Sequence, residues 1–537
     1  MLKTWKPRVT LAVLGGLVFA VGCFDFDKAE QKCLDEDRCK GSTEDCVKTS
    51  DDDAPDDAFE DTNCDGVDGM ADGGIFVDPA GGSEGAAGTA AAPLKTLSEA
   101  LDRVRKGTAP RLVYLAKGIY NETGLMLDTQ VSLYGAYGGR DNWKRKSDYV
   151  THLDGGTIGL SIQGIPEGSG MVLDRLSVSS ANATDRGTPS IALQVINSQG
   201  VVLRYGTFTA GQGAEGLPGI TGPQGADGGA GMDGGNSIMA AAGGFGARGV
   251  SLCVDGDASG GNGQDGVSGS YSPGVPGDPG QPSGRGGPGG AGGPAGSLVD
   301  GGSGFFICRA GDGGVGEPGL PGGKGNGGAS GEGEGELNGT MWVATQNGGN
   351  GSVGSPGGGG GGGGSGGACK REGTVAGAAG AGSGGGGGGG CGGGGGGGGR
   401  GGGASIAVLL VHSQVAFEGD TVLSTRGGGR GGNGGEGGPG GAGGPGGAGG
   451  VGDTITSPSY NSYGGGGGAG SPGGAGGPGG PGGGGGGGPS IGVWCSPDAG
   501  YSGAFDASVG NGGAGGNGGS GGDGGQPGTR NNTHGCP

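Results

Sequence analysis

Hydrophobic positions along the chain fall into short runs, and one run is repeated. Ser190-Ile191-Ala192-Leu193-Gln194-Val195 returns as Ser405-Ile406-Ala407-Val408-Leu409-Leu410 and as Ser490-Ile491-Gly492-Val493-Trp494-Cys495. In each copy the apolar residues at the second and fourth places recur at a two-residue period, the mark of a strand with one buried face. The first two copies agree further on: Ile196-Asn197-Ser198-Gln199 matches Val411-His412-Ser413-Gln414, and Thr209-Ala210-Gly211 and Thr425-Arg426-Gly427 both lead into glycine. The repetition predicts one structural unit whose copies stack as strands. Ile191, Leu193 and Val195 should share a buried face with Ile406, Val408 and Leu410, and with Ile491, Val493 and Cys495, while the glycine loops out and returns.

Further apolar runs lie at Ile75-Phe76-Val77, Leu112-Val113-Tyr114-Leu115, Val131-Ser132-Leu133-Tyr134, Met171-Val172-Leu173 and Val201-Val202-Leu203. Turn-bounded strands at this spacing, with no long helices between them, predict a coil of parallel strands. One helical pattern opens at Pro93, with Leu94, Leu97 and Leu101 on one face.

The order Phe76-Val77-Asp78-Pro79, Pro93-Leu94-Lys95-Thr96-Leu97, Val113-Tyr114-Leu115-Ala116-Lys117-Gly118-Ile119-Tyr120, Ser132-Leu133-Tyr134-Gly135-Ala136-Tyr137 and Trp143 resembles the opening of bacterial right-handed parallel β-helix proteins. These are pectate-lyase-like in fold, and many are lipoproteins of unknown function. The resemblance covers residues 75–211. It implies a mainly β fold with a helical cap near Pro93 to Val104 and stacked rungs after it.

Glycine changes this picture, since it supplies 166 of 537 residues while aromatic residues are 5%. With hydrophobic residues at 31%, most of the length cannot bury side chains in an ordinary core. Glycine occupies every third place from Gly213 to Gly234, Gly313 to Gly331, Gly428 to Gly452, Gly464 to Gly488 and Gly510 to Gly528. A three-residue helix gives such triplets two bare faces and one decorated face. Collagen is the poorest of three states for these runs, because only 28 Pro are spread over the chain and the frame is broken. A disordered coil is favoured by about 1–2 kcal/mol of backbone entropy per residue. A bundle of polyproline II strands offsets this with interstrand bonds worth about 1 kcal/mol each, and disulfides worth about 2–4 kcal/mol each tip the balance. The triplets resemble glycine-rich antifreeze proteins, the polyglycine sandwich domains of phage adhesins and PGRS-like repeats. Gly428 to Gly452 as a single rod would reach about 75 Å, as a spike or as part of a folded-back bundle.

Lys3, Lys6 and Arg8 precede an apolar run from Val9 to Ala20, the layout of a secretory signal. Ala20-Val21-Gly22-Cys23 resembles the lipobox of bacterial lipoproteins, which implies lipidation of Cys23 and attachment to a membrane. The alternative is an ordinary signal before a structural cysteine. Phe24 after the cysteine, in place of Asp, resembles lipoproteins sorted to the outer membrane. A net charge of −20 argues against nucleic acid as a partner. Of the 11 cysteines, the ten besides Cys23 are disulfide candidates in an oxidising compartment: Cys33, Cys39, Cys46, Cys64, Cys253, Cys308, Cys369, Cys391, Cys495 and Cys536. The expected organisation is a signal peptide at 1–22, an acidic tether at 23–74 and the β-helix domain at 75–211. A glycine-rich region follows at 212–403, then a returning rung at 404–426 and a second glycine-rich region at 427–537 with a further rung near 489–509.

Candidate chemistry is sparse. Asp61, Asn63, Asp65 and Gly66 match the first half of a calcium loop, with Asp72 at the twelfth position. Calcium is therefore a candidate cofactor, in a short loop outside the EF-hand class. His412 aligns with Asn197 and belongs to a turn after a strand, His152 lies beside Leu153 in a strand-like run, and His534 is in a polar tail. Asp154, Asp174, Arg175 and Arg204 fall among the rungs, either at solvated or paired rung turns or in a shared groove. No catalytic elbow, metalloprotease helix or P-loop is present, and the glycine loops lead into more glycine instead of a helix, so nucleotide binding is not expected. The expectation is a non-catalytic structural or adhesive lipoprotein of the outer membrane, displayed at the cell surface, with extracellular polysaccharide or matrix as the candidate partner. The alternatives are a calcium-assisted polysaccharide lyase or hydrolase on a β-helix, and an ice- or surface-binding glycine-rich protein.

Overall fold

A computed structural model describes residues 46–537 apart from 109, 110, 141, 372 and 374. The chain divides into two compact units between Met70 and Ala71. In the described part of the first, Cys46 is bonded to Cys64. The Asp53 carboxylate accepts from the Thr62 hydroxyl at 2.7 Å and from the Gly69 amide at 2.8 Å.

The second unit is built on three parallel sheets. The first holds Gly74–Val77, Leu112–Ala116, Ser132–Tyr137, Met171–Asp174, Val201–Arg204, Gln414–Glu418 and Gly500–Gly503 in that spatial order. The second holds Met126–Leu127, Ile158–Gln163, Ser190–Ile196, Ser405–Val411, Ser490–Cys495 and Arg530–His534; the third holds Gly118–Asn121, Thr151–Gly155, Leu176–Ser180, Thr207–Ala210, Val422–Thr425 and Asp506–Ser508. From Leu112 the chain visits the first, third and second sheets in strict rotation. Each strand therefore lies beside the one laid a circuit earlier and pointing the same way, which is why every ladder is parallel. Leu115, Leu133, Leu153, Leu160, Leu173, Val195, Leu203 and Phe208 fill the space the sheets enclose.

The three Ser-Ile copies pair in register: Ser190 with Ser405 and Ser405 with Ser490, and likewise for Ile191, Ile406 and Ile491. The expected phase needs one correction. Ala192, Leu193 and Val195 face the main core, as do Ala407, Val408 and Leu410, whereas Ile191, Ile406 and Ile491 join a second cluster on the other side of the sheet. Each copy therefore turns two consecutive residues inward at its start. The first of them is Gly159, Ala192, Ala407 or Gly492 in successive strands. Only a small residue fits there, since a Cβ on Gly159 would press into the Ala192 carbonyl. Nor is the outer face free, because the hairpin Glu336–Asn338 and Met341–Val343 lays Trp342 against Trp494, ring centres 6.3 Å apart.

The helix Leu97–Arg105 covers one end of this core with Leu97, Ala100, Leu101 and Val104. Thr96 caps it, and the Glu122 carboxylate takes the Leu97 and Ser98 amides at 2.7 and 2.8 Å. Leu94, expected on the helix, lies before it and bridges to Val77 and Ser83.

Three glycine-rich excursions interrupt the rotation, all at one corner. Each leaves after a third-sheet strand, at Ala210, Thr425 or Ser508, and returns into a second-sheet strand, at Ser405, Ser490 or Arg530. Earlier circuits cross the same corner by short links, as between Gly155 and Ile158. The leading serine of each copy staples this corner. Ser190 Oγ donates to the Ala181 carbonyl at 2.7 Å, Ser405 Oγ donates to the Gly211 carbonyl at 2.6 Å across the whole first excursion, and Ser490 Oγ lies 2.7 Å from Thr425 Oγ1.

Candidate display surface

The glycine runs are strands bonded at every third residue. Gly213, Gly216 and Gly219 donate their amides to Gly427, Arg430 and Asn433, and the series continues to Ser237 and Val451. Residues 382–403 run antiparallel to both, with the Gly385 amide on Met232 and the Gly447 amide on Gly385. Triplet composition sets depth in this bundle. In the all-glycine stretch Gly384, Gly385 and Gly386 donate to Gly468, Met232 and Gly261, on three different strands, and all are buried. In the Gly-Gly-X strand Gly431 and Gly432 are bonded and buried while Arg430 and Asn433 are exposed, and in the Gly-X-X strand from Gly213 the glycine at every third place donates its amide to the neighbouring strand while the Leu217, Ile220 and Pro223 carbonyls accept from Arg400, Gly397 and Gly394. Glycine is required in the middle: a Cβ on Gly360 would sit inside the Ser471 carbonyl. Side chains at X positions close part of what remains, since Asp227, Asp233 and Asn236 accept the Ala442, Ala448 and Val451 amides, each at 2.7 Å.

At the end of the bundle away from the three parallel sheets, two hairpins from different excursions merge. Ser297–Asp300 pairs antiparallel with Phe306–Arg309, which pairs in parallel with Tyr460–Tyr463, itself antiparallel to Thr454–Ser457. Cys308, buried within this sheet, is bonded to Cys369, and the Tyr460 hydroxyl donates to the Lys370 carbonyl at 2.9 Å. The Arg309 guanidinium lies 4.4 Å from the centre of the Tyr463 ring. Ser297–Asp300 is exposed at every residue, with Leu298 41% and Val299 59% exposed. Sequence reasoning missed this sheet. Its signal was two apolar islands, Leu298-Val299 and Phe305-Phe306-Ile307, around Gly-Gly-Ser-Gly.

The titratable candidates separate. Asp174 is on the first sheet, fully buried, and pairs with Arg145, which is also fully buried, and with Arg204 at 3.1 Å. Arg175 stacks its guanidinium 4.2 Å from the centre of the Tyr205 ring. Asp154 is exposed on the third sheet, 3.1 Å from the Ser179 hydroxyl. His152 sits beside it, Nδ1 2.8 Å from Ser177 Oγ and Nε2 3.1 Å from Ser179 Oγ. These two residues line a cleft of about 510 Å³ with Asn182, Thr209 and Arg426. The structure therefore does not bring Asp154 and Asp174 into one groove. His412 occupies its turn with φ 50° and places Nδ1 2.6 Å from Asp498. That hydrogen bond, helped by the Ser496 hydroxyl, holds the Asp498 carboxyl below its ordinary range. The His534 ring lies 4.1 Å from that of Trp494.

In the first unit the Asp61 carboxylate accepts the Asp65 and Gly66 amides at 3.0 and 2.8 Å, and Asn63 accepts the Asp65 amide at 2.9 Å. Asp72 belongs to the second unit, in the 3₁₀ turn Ala71–Gly73. Among the described residues, no group of three or more acidic, His or Cys side chains is placed to hold a metal. The remaining disulfides among the described residues are Cys253 to Cys391 and Cys495 to Cys536. The Cys23 lipidation site and the candidates Cys33 and Cys39 lie outside the described residues. No helix among the described residues is long and apolar enough to cross a membrane. No protein-family model, curated protein or solved structure matches this chain.

Proposed function

We propose that the chain is a lipid-anchored, surface-displayed structural or adhesive protein of an outer membrane. In this reading the three sheets are the faces of a right-handed parallel β-helix that serves as a platform. The glycine runs are a polyglycine II bundle that carries the far sheet outward. The observation that carries the reading is the far sheet itself: two excursions leave the rungs separately and end in one sheet with exposed apolar side chains, on a support cross-bonded at every third residue. Such an arrangement holds a contact surface at a distance and requires no reacting groups. Protease added to intact cells is expected to cleave the far hairpins, and Cys23→Ala is expected to release the chain from membranes. Removing residues 298–306 is expected to reduce adhesion or aggregation with membrane attachment unchanged. Full protection of the hairpins on intact cells contradicts the proposal. The cleft at His152 and Asp154 supports a second reading, a carbohydrate-active protein. Turnover of a polysaccharide by the purified chain, abolished in Asp154→Ala, would favour that reading instead.

A further inference from the structure

The far sheet has an open edge. Ser297–Asp300 is the terminal strand of that sheet, and no other strand among the described residues lies beyond it. The Gly301 amide bonds to the Phe305 carbonyl at 2.8 Å. Bonding alternates along an antiparallel pair, so Val299 is bonded to Ile307 while Leu298 and Asp300 point their amides and carbonyls outward. Protein edges are guarded by short strands, charged side chains, proline or a bulge; this four-residue strand carries no lysine, proline or bulge, and its one charge is Asp300 at its end. The opposite edge, Thr454–Ser457, runs into Pro458.

We propose that this edge pairs antiparallel with the same edge of a second copy of the chain. The inference rests on the display reading and names the partner of that surface. Only registers that match outward groups with outward groups are open to it. Placing Asp300 opposite Asp300 sets like charges face to face, and placing Leu298 opposite Leu298 leaves Asp300 beyond the partner's strand, opposite its Gly296. The remaining register pairs Leu298 with Asp300 twice and centres on Val299. It seats the two Val299 side chains in a close non-bonded pair, Cα atoms about 4.5 Å apart. The face they share then reads Ile307, Val299, Val299, Ile307 across the junction, a row of β-branched residues of the kind that packs on a pleated surface. The contact is two-fold and closed, so it joins two molecules and ends there.

The whole secreted chain carrying Cys23→Ala is suited to the test. Sedimentation is expected to show a concentration-dependent dimer for the parent and a monomer for Val299→Lys, with the two melting alike. Val299→Cys is expected to form a disulfide-linked dimer on oxidation, because the register brings the two Cα atoms within disulfide range, and Ser297→Cys is not. A parent that remains monomeric at every concentration overturns the proposal, as does cross-linking of Ser297→Cys equal to that of Val299→Cys. If the cysteine variants fail to fold, sedimentation of the parent and Val299→Lys decides. A dimer through Val299 in a chain protected from protease on intact cells sinks the display reading and leaves the pairing standing.

Discussion

A single methyl group separates the two kinds of glycine in this chain. Gly360→Ala would force a Cβ into the Ser471 carbonyl, whereas at Gly323 the nearest atom, Ser355 Oγ, is 3.9 Å from the added carbon. Gly360→Ala is expected to cost about 1–3 kcal/mol or more by overpacking and Gly323→Ala close to nothing, as read from urea melts. Asp174→Ala leaves Arg145 buried without its carboxylate, so a loss of about 3–5 kcal/mol is expected. Tyr120 gives the fold an alkaline limit. Burial pushes its hydroxyl well above the ordinary value, with Asp78 and Glu122 adding to the shift, and the hydroxyl's one proton is shared between the Val77 and Ala116 carbonyls, 2.9 and 3.0 Å away. Because the folded value is raised, this stabilisation is whole below the unfolded value near about 10 and is lost as pH climbs past it toward the folded one. Alkaline melts of Tyr120→Phe should slope less steeply than those of the parent above that pH. An equal slope would assign the alkaline loss to other groups.

Among elements, the legible strands were those with two buried faces or an unbroken apolar run. All five runs outside the Ser-Ile copies lie in the first sheet and the copies lie in the second. Of the third sheet only the run at His152 and Leu153 was legible, because its other strands alternate, as in Ser177-Val178-Ser179 and Thr207-Phe208-Thr209, over spans short enough to pass for turns. The inward step at Ala192, Ala407 and Gly492 was hidden too. A period of two cannot show a place where two neighbours face one way, and only the small residues there marked it. The bundle was half legible: triplets announced a threefold strand, but which strand lies beside which depends on the order of turns. Disulfides hold that order. The bond between Cys253 and Cys391 joins positions 138 apart, and its removal is expected to cost about 2–4 kcal/mol. Limited proteolysis of Cys253→Ser should open residues 243–266 before the rungs, and simultaneous loss of both would show the bundle and rungs to be one cooperative unit.

For the molecule as a whole, the shared corner means that excursion length and rung geometry are nearly independent. Closing a loop costs only about 0.6 kcal/mol more for each doubling of its length. The long first excursion therefore burdens its circuit little more than the short last one between Ser508 and Arg530. Each excursion must nevertheless come back to the corner it left, so outward and homeward strands occur in pairs: 428–452 leads out and 464–488 leads back, as 513–519 leads out and 522–528 back. Length is thus added under a rule of parity. The last excursion turns near Gly521 beside a strand that runs on to Gly452, so one Gly-Gly-Ala triplet inserted on each side of that turn should extend it with the melting temperature kept. A triplet on one side alone should lower it, because three residues then have no strand to return along. Equal melting of the two insertions would show that the turn absorbs the mismatch. A protein built in this way can lengthen its reach by even steps while its base stays as it is.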